Sequence, residues 1–509
     1  MGKVAAAVAV TLAVAAACSG SDVRTESAVE PPVSTSPATT APPDTVPPET
    51  SAPPETTGAT EAPETTAEPG DGPSTSSGDS LLPELGSTDL DVQSYDVRLS
   101  FDPATERLAG TVDITTSVER TLDELALDAS DLVVESVTVN GAAATFDHQS
   151  PELLVRPTTP VEPGAPVVVS VTYSDDRHAT SLGFGLGGGF YTTENGAHTL
   201  NEPDGARSWL PSNDHPSDKA TWRFELTVPA GVTAVANGRL DEQRQDNGDT
   251  TWVWHEDDPM ATYVVQVLIG PYSVLDGGAA DEVPLTNVAF TDDVSRMQPY
   301  FDQTVEQIAF FEPFFGPYPL DRYGLAFVDS VPGLAMEHQG RSLFARDDFP
   351  GGDPDPVAHL LLAHELAHQW FGNAVTPADW SDLWLNESFA TYAQWMWLEE
   401  IGVTTVEREA QRNLQQRQTP TEPTGEPSLR NLFGYERYDG GAVVLHALRG
   451  ELGDDAFFTV LQRWVAENNG TSRTSAEFIA LAEEVAGRPL TDFFDAWLYS
   501  PSVPSEYPS

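Results

Sequence analysis

A chain of 509 residues contains a single cysteine, Cys18, and only two lysines, Lys3 and Lys219. One cysteine excludes an internal disulfide framework. Basic residues number 25 against 79 acidic ones, giving a formal net charge of −54. Repulsion from phosphates disfavours a nucleic-acid partner at that charge. The stretch Ser19–Ser80 has no Phe, Trp or Tyr and is dominated by Pro, Thr, Ser, Glu and Ala. Such a segment buries too little apolar surface to offset the entropy of ordering, so a disordered stalk is expected over residues 19–85. The apolar run Val4–Ala17 is shorter than a membrane-spanning helix requires.

With Lys3 ahead of it and small residues behind it, that run reads as a signal-peptide core. Val14-Ala15-Ala16-Ala17-Cys18 resembles a bacterial lipobox, whose cysteine would be acylated. The alternative is ordinary cleavage after an Ala-x-Ala site, with Cys18 incidental. The expectation is a lipoprotein signal peptide over residues 1–18. It would attach the chain through a lipidated Cys18 to the extracellular face of the cell membrane, a secreted form being the other outcome.

Beyond the stalk, two patterns follow one another. Tyr95–Phe101 and Trp222–Val228 alternate apolar and polar residues, and Leu132–Val139 and Ala165–Tyr173 are rich in Val and Thr. Thr262–Gly270 closes the set. Short strands separated by Gly, Asp, Asn and Pro imply an antiparallel β domain, expected over residues 90–277. From about Asp281 the period becomes helical. Met297–Phe314, Asp355–Gly372, Asn386–Ile401, Gly441–Leu452, Ala456–Glu467, Ser475–Ala486 and Leu490–Leu498 read as helices, with Tyr323–Val328 as a strand. The fold class is therefore multidomain α+β, with a mostly α domain over residues 281–505 after the β domain.

The first of the ligand-bearing helices carries His364-Glu365-Leu366-Ala367-His368. Two His four apart share one helix face, so both imidazoles can converge on one metal ion. Glu365 lies between them as a general base for water at the open position. A third ligand must come from another element, and Glu387 in Trp384-Leu385-Asn386-Glu387 opens the next helix. Apolar neighbours (Leu360, Leu361, Leu362, Trp370, Phe371) argue against an unpartnered reading, because burying two His and a Glu alone is costly. One Zn²⁺ per chain on His364, His368 and Glu387 is expected. A metzincin would need Gly and His where Phe371 and Ala374 stand, so that branch is excluded. A structural zinc in a binding module would be closed by four protein ligands and would need no poised Glu.

The run His364–Asn373, followed at gluzincin spacing by Trp384-Leu385-Asn386-Glu387, resembles the M1 zinc aminopeptidases over roughly residues 90 to 500. The resemblance implies a saddle-like β domain followed by a thermolysin-like catalytic domain. It also implies hydrolysis of the N-terminal peptide bond of peptides with a free N-terminus. Leu334-Ala335-Met336-Glu337-His338 is similar to the family's exopeptidase motif at Ala335, Met336 and Glu337, with Leu334 and His338 departing from it. Glu337 would then hold the substrate's α-ammonium, and the backbone from Gly333 would pair with the extended peptide. Glu202, in Leu200-Asn201-Glu202-Pro203, resembles the β-domain carboxylate that meets the same ammonium. Tyr438, ahead of Gly440-Gly441-Ala442, resembles the oxyanion-stabilising tyrosine, with Tyr435 as its competitor and Gly440 in place of a lysine. The resemblance further suggests a short lipoprotein form without the large helical C-terminal domain of longer members. A thermolysin-like endopeptidase, which would cleave N-terminally blocked peptides well, is the rival enzymatic reading.

Overall fold

The computed structural model describes residues 72–175 and 188–508. Strand Leu90–Asp102 turns Val92, Tyr95, Val97, Leu99 and Phe101 inward, alternating strictly from Tyr95 on after an irregularity between Val92 and Ser94. It sits near the middle of an eight-stranded sheet, antiparallel to Arg107–Val118 and parallel to Ala220–Pro229. A parallel neighbour demands a long connection. That connection contains the hairpin Gly189–Thr193/Gly196–Leu200, which joins Val267–Gly270 and Thr233–Ala236 in a four-stranded sheet. The core beneath includes Tyr95 stacked on Trp222 at 4.0 Å, with Trp254 fully buried. Side chains of this size each contribute about 1.5–3 kcal/mol through burial.

A five-stranded sheet follows, ordered Tyr272–Ala280, Val283–Phe290, Leu325–Val328, Ser342–Ala345, Ala335–Met336. Leu325–Val328 and Ser342–Ala345 run parallel and are buried at every residue, and apart from Ser342, whose hydroxyl is hydrogen-bonded, both are apolar throughout. Ala335–Met336 forms the edge. The strand Tyr272–Ala280, which the sequence pattern did not single out, spans the expected domain boundary at residue 277. It pairs with Val283–Phe290, Asp281 at φ 51° turning the chain into a hairpin.

Eight α-helices lie among the described residues: α1 Val294–Phe315, α2 Pro356–Ala367, α3 Trp384–Glu400, α4 Val406–Arg417, α5 Asp439–Leu452, α6 Asp454–Asn468, α7 Ser475–Ala486 and α8 Thr491–Trp497. Helix α2 starts where Asp355 accepts hydrogen bonds from the amides of Val357 and Ala358, with Pro356 in the first turn. Both α2 and α3 are buried on nearly all sides, α3 from Trp384 through Leu398, and the two pack together. Helix α4 was not anticipated. Its sequence, Val406–Arg417, is mostly charged and polar, with Val406, Ala410 and Leu414 as its narrow buried stripe.

Three expectations are corrected. The short form without a large helical C-terminal domain is overturned, because α1 to α8 build a large helical body with its own extensive core. The lipoprotein, signal-peptide and membrane reading is withdrawn. Residues 1–18, with Cys18, lie outside the described residues, and among the described residues no helix is long and apolar enough to cross a membrane. The expected stalk ends before residue 85, since Leu82 and Leu85 are buried in the β core. Asp79 accounts for this ordering. Its carboxylate accepts from the amides of Leu81, Leu82 and Trp380 and faces His215 Nε2 at 3.1 Å. Ser80 adds bonds from its amide and hydroxyl to Asp379.

Burial alone would raise the Asp79 carboxyl, but the hydrogen bonds from His215, Trp380, Leu82 and Leu81 together hold it below its ordinary 3.8. A depressed carboxylate stabilises the fold above its unfolded value and loses that contribution as pH falls through the lower folded value. Asp79→Asn should therefore destabilise the protein at neutral pH by about 2–4 kcal/mol. It should also remove the part of the acid destabilisation that sets in below 3.8. Urea unfolding across pH measures both.

Candidate active site

Helix α2 presents His364 and Glu365 near its end, and His368 is its C-cap residue, still in helical geometry at φ −58°, ψ −23°. Helix α3 presents Glu387 in its first turn. One Glu387 oxygen stands 3.2 Å from His364 Nε2 and 3.5 Å from His368 Nε2. The three ligand atoms lie within 4.8 Å of one another, and all three residues are buried.

The other ring nitrogens decide the chemistry. His364 Nδ1 faces Gln394 Oε1 at 3.0 Å, and His368 Nδ1 faces the Phe371 carbonyl at 3.1 Å. Both partners are acceptors, so each Nδ1 carries the proton. In the neutral rings each Nε2 then turns a lone pair toward the same carboxylate oxygen. Three electron-rich atoms converging in a buried space require a cation, and two imidazoles with one carboxylate are a zinc donor set. The residues present therefore fit Zn²⁺.

A cavity of about 30 Å³ is lined by Glu202, Gly333, Ala335, Glu337, Leu361, His364, Glu365, His368, Glu387 and Tyr438. That size holds a few waters at most. Met336, named with the same segment, is buried on the strand Ala335–Met336 and does not line the cavity. Cys18 lies outside the described residues. Tyr438 precedes α5, and its ring stacks over His364 at 6.0 Å. Tyr435, the competitor, points elsewhere, its hydroxyl donating to Asn413.

Four carboxylates share this small space. Burial raises the Glu365 and Glu337 carboxyls; the His368 charge opposes this in both, while Glu337 and Glu387 add to the rise of the first and Glu387 to that of the second. Glu202 is raised by burial and then by Glu337, Glu387 and Glu365. Burial disfavours charge on His368, yet where no metal is bound Glu337, Glu387 and Glu365 outweigh it and push its pKa up to about 10, so that a proton on Nε2 takes the place of the cation the neutral ring would ligate. Glu387 goes the other way, down to about 2, because hydrogen bonds and charge from the two histidines exceed its desolvation. Glu202 Oε1 and Glu337 Oε1 are buried without a hydrogen-bond partner. The cavity is built to receive positive charge.

Several positioning groups escaped sequence reasoning. Gln394 lies two helical turns after Glu387, on the same face of α3, and that spacing was the available signal. Gln369 and Asn373 donate to the Glu337 carbonyl at 3.3 and 2.6 Å and so tie the motif helix to the sheet edge. Leu361, one turn before His364, lines the cavity.

Fold and site together define a zinc centre of the two-histidine, one-glutamate class. The Peptidase M1 N-terminal domain matches residues 92–264 and the Peptidase family M1 domain matches residues 300–497. These cover well over half of the chain, which belongs to peptidase family M1. It is similar to the M1 zinc metallopeptidase of Deinococcus radiodurans, with 29% identity and a TM-score of 0.77 over 85% of this chain and 99% of that one. A variant of that enzyme bound to a Tyr-Ser-Ala substrate superposes with a TM-score of 0.76 at 28% identity over 85% of this chain and 99% of that one. Aminopeptidase M1-D of Oryza sativa subsp. japonica is 25% identical over 81% of this chain and 50% of its own length. Probable aminopeptidase 2 of Sulfurisphaera tokodaii is 25% identical over 82% of this chain and 55% of its own length. The chain thus spans about half the length of the curated relatives it matches.

Removing Gln394's acceptor leaves the His364 ring free to turn. Gln394→Ala should lower zinc affinity by about 10–100-fold. Competition against a chromophoric chelator reads this directly. Zinc should also raise the thermal midpoint of the metal-stripped protein, by an amount that grows with free zinc.

Proposed function

We propose that this protein is an aminopeptidase that hydrolyses the first peptide bond of peptides bearing a free N-terminus. The observation that carries the reading is the pair of unpartnered carboxylate oxygens, on Glu202 and Glu337, in the cavity that also holds the two histidines and Glu387. A substrate ammonium would satisfy both with charge-assisted hydrogen bonds. A peptide so anchored places only one residue ahead of the zinc site, which favours an exopeptidase over an endopeptidase.

His364, His368 and Glu387 would hold Zn²⁺, which supplies Lewis acidity toward the scissile carbonyl and lowers the pKa of water. Glu365, whose carboxyl is raised by burial, is suited to take a proton from the attacking water and return it to the leaving amine. The Tyr438 hydroxyl would donate to the developing oxyanion. Gly333 and Ala335 line the cavity beside the sheet's edge strand, where a substrate backbone can add as a further strand. The net charge of −54 suits cationic N-termini and opposes a nucleic-acid partner. A Tyr-Ser-Ala peptide bound to the Deinococcus radiodurans relative agrees with short peptides as the substrate class.

Glu365→Gln should lower kcat by at least about 10²-fold while zinc stays bound. Metal content together with turnover of aminoacyl-anilides checks this. Glu337→Ala should raise KM for free-amine substrates. Efficient cleavage of N-acetylated peptides by the unaltered enzyme would instead establish an endopeptidase.

A further inference from the structure

Ser388 follows Glu387 in α3 and is completely buried. Its hydroxyl donates to the carbonyl of Arg437 at 2.6 Å, across 49 residues of sequence. Arg437 immediately precedes Tyr438. A single side-chain hydrogen bond therefore joins the neighbour of the carboxylate ligand to the neighbour of the phenol.

The surroundings leave this bond little freedom. Tyr438 has φ −90° and ψ −106°, outside the helical region, and its carbonyl already accepts from the amides of Gly441 and Ala442. The Arg437 guanidinium is buried and donates to the carbonyls of Leu432, Pro423 and Asn431, fixing the loop on its other side. A Cβ on Gly441 would stand 1.7 Å from Ser388 Oγ. The glycine is thus required by the Ser388 side chain, whose Cβ would also lie 2.7 Å away, and not by its own backbone angles. The peptide before Tyr438 is seated on α3 through the Ser388 hydroxyl.

We infer that Ser388 is a positioning residue that sets the Tyr438 hydroxyl relative to the His364–His368–Glu387 centre. This role rests on the reading of Tyr438 as the oxyanion donor. An oxyanion donor acts only in the transition state, so a small misplacement lowers kcat and leaves ground-state binding alone.

The test is a double-mutant cycle on the zinc-loaded full chain, with aminoacyl-anilide substrates. Ser388→Ala should lower kcat roughly tenfold with KM changed by less than about twofold, and zinc content should be unchanged. In the Tyr438→Phe background the same substitution should cost no further kcat, because the group it positions is already gone. An equal loss in both backgrounds, a loss confined to KM, or no loss at all overturns the inference and leaves the aminopeptidase reading standing. If Tyr438→Phe alone leaves kcat unchanged, both the role of Tyr438 and that of Ser388 fall. Should Ser388→Ala not accumulate as folded protein, Ser388→Cys, slightly larger and a weaker donor, carries the same comparison.

Discussion

Two imidazole lone pairs and a carboxylate oxygen meeting in a buried space are the constraint around which this molecule is organised. Without a cation the arrangement is a concentration of like charge and unshared electrons, held out of water at a cost of several kcal/mol per ion. The scaffold bears that cost by rigidity. Helices α2 and α3 are buried on nearly every side, so neither can roll to relieve the repulsion. Gln394 and the Phe371 carbonyl hold the far edges of the two rings. Metal binding and folding are thereby coupled: the ion completes an interior that the protein alone leaves electrically unfinished.

The same logic extends outward from the centre. Glu202 arrives on the segment after a β-domain hairpin, Glu337 follows a sheet edge, Glu365 sits within α2 and Glu387 within α3. Glu337, Glu365 and Glu387 raise the Glu202 carboxyl and Glu337 and Glu387 raise that of Glu365, while the histidines hold Glu387 down. The result is a small acidic cavity with two levels of cation affinity, one lined by imidazoles and one by unpartnered oxygens. Such a division suits a metal in the first and an ammonium in the second. It also separates catalysis from substrate orientation without placing them on one element. The proposed function depends on the β and helical parts facing one cavity, which neither builds alone.

Much of this was readable along the chain. The spacing of His364 and His368, with Glu387 opening a second apolar helix, depends only on helix geometry and on the cost of burying polar groups, so it survives without tertiary information. Most helices fell where their apolar period places them, Ser475–Ala486 to the residue. Helix α4 was lost because its buried stripe is narrow within a highly polar sequence. The segment from Pro73 to Leu85 was lost for the opposite reason. Its composition is that of a disordered chain, and it is ordered by Asp79 and two leucines that find partners far away in sequence.

The sequence by itself determined the class of metal site, the order of β and helical parts, and the acidity of the surface, because composition and periodicity act locally. Only the tertiary structure decided which carboxylates share a cavity, which nitrogen of each histidine faces inward, and how Tyr438 is seated. These are relations between residues tens to hundreds of positions apart, such as the Ser388 hydroxyl on the Arg437 carbonyl and the Asp79 carboxylate on the Trp380 amide. No local pattern encodes them, since they arise when separately formed elements pack and their leftover polar groups must find one another.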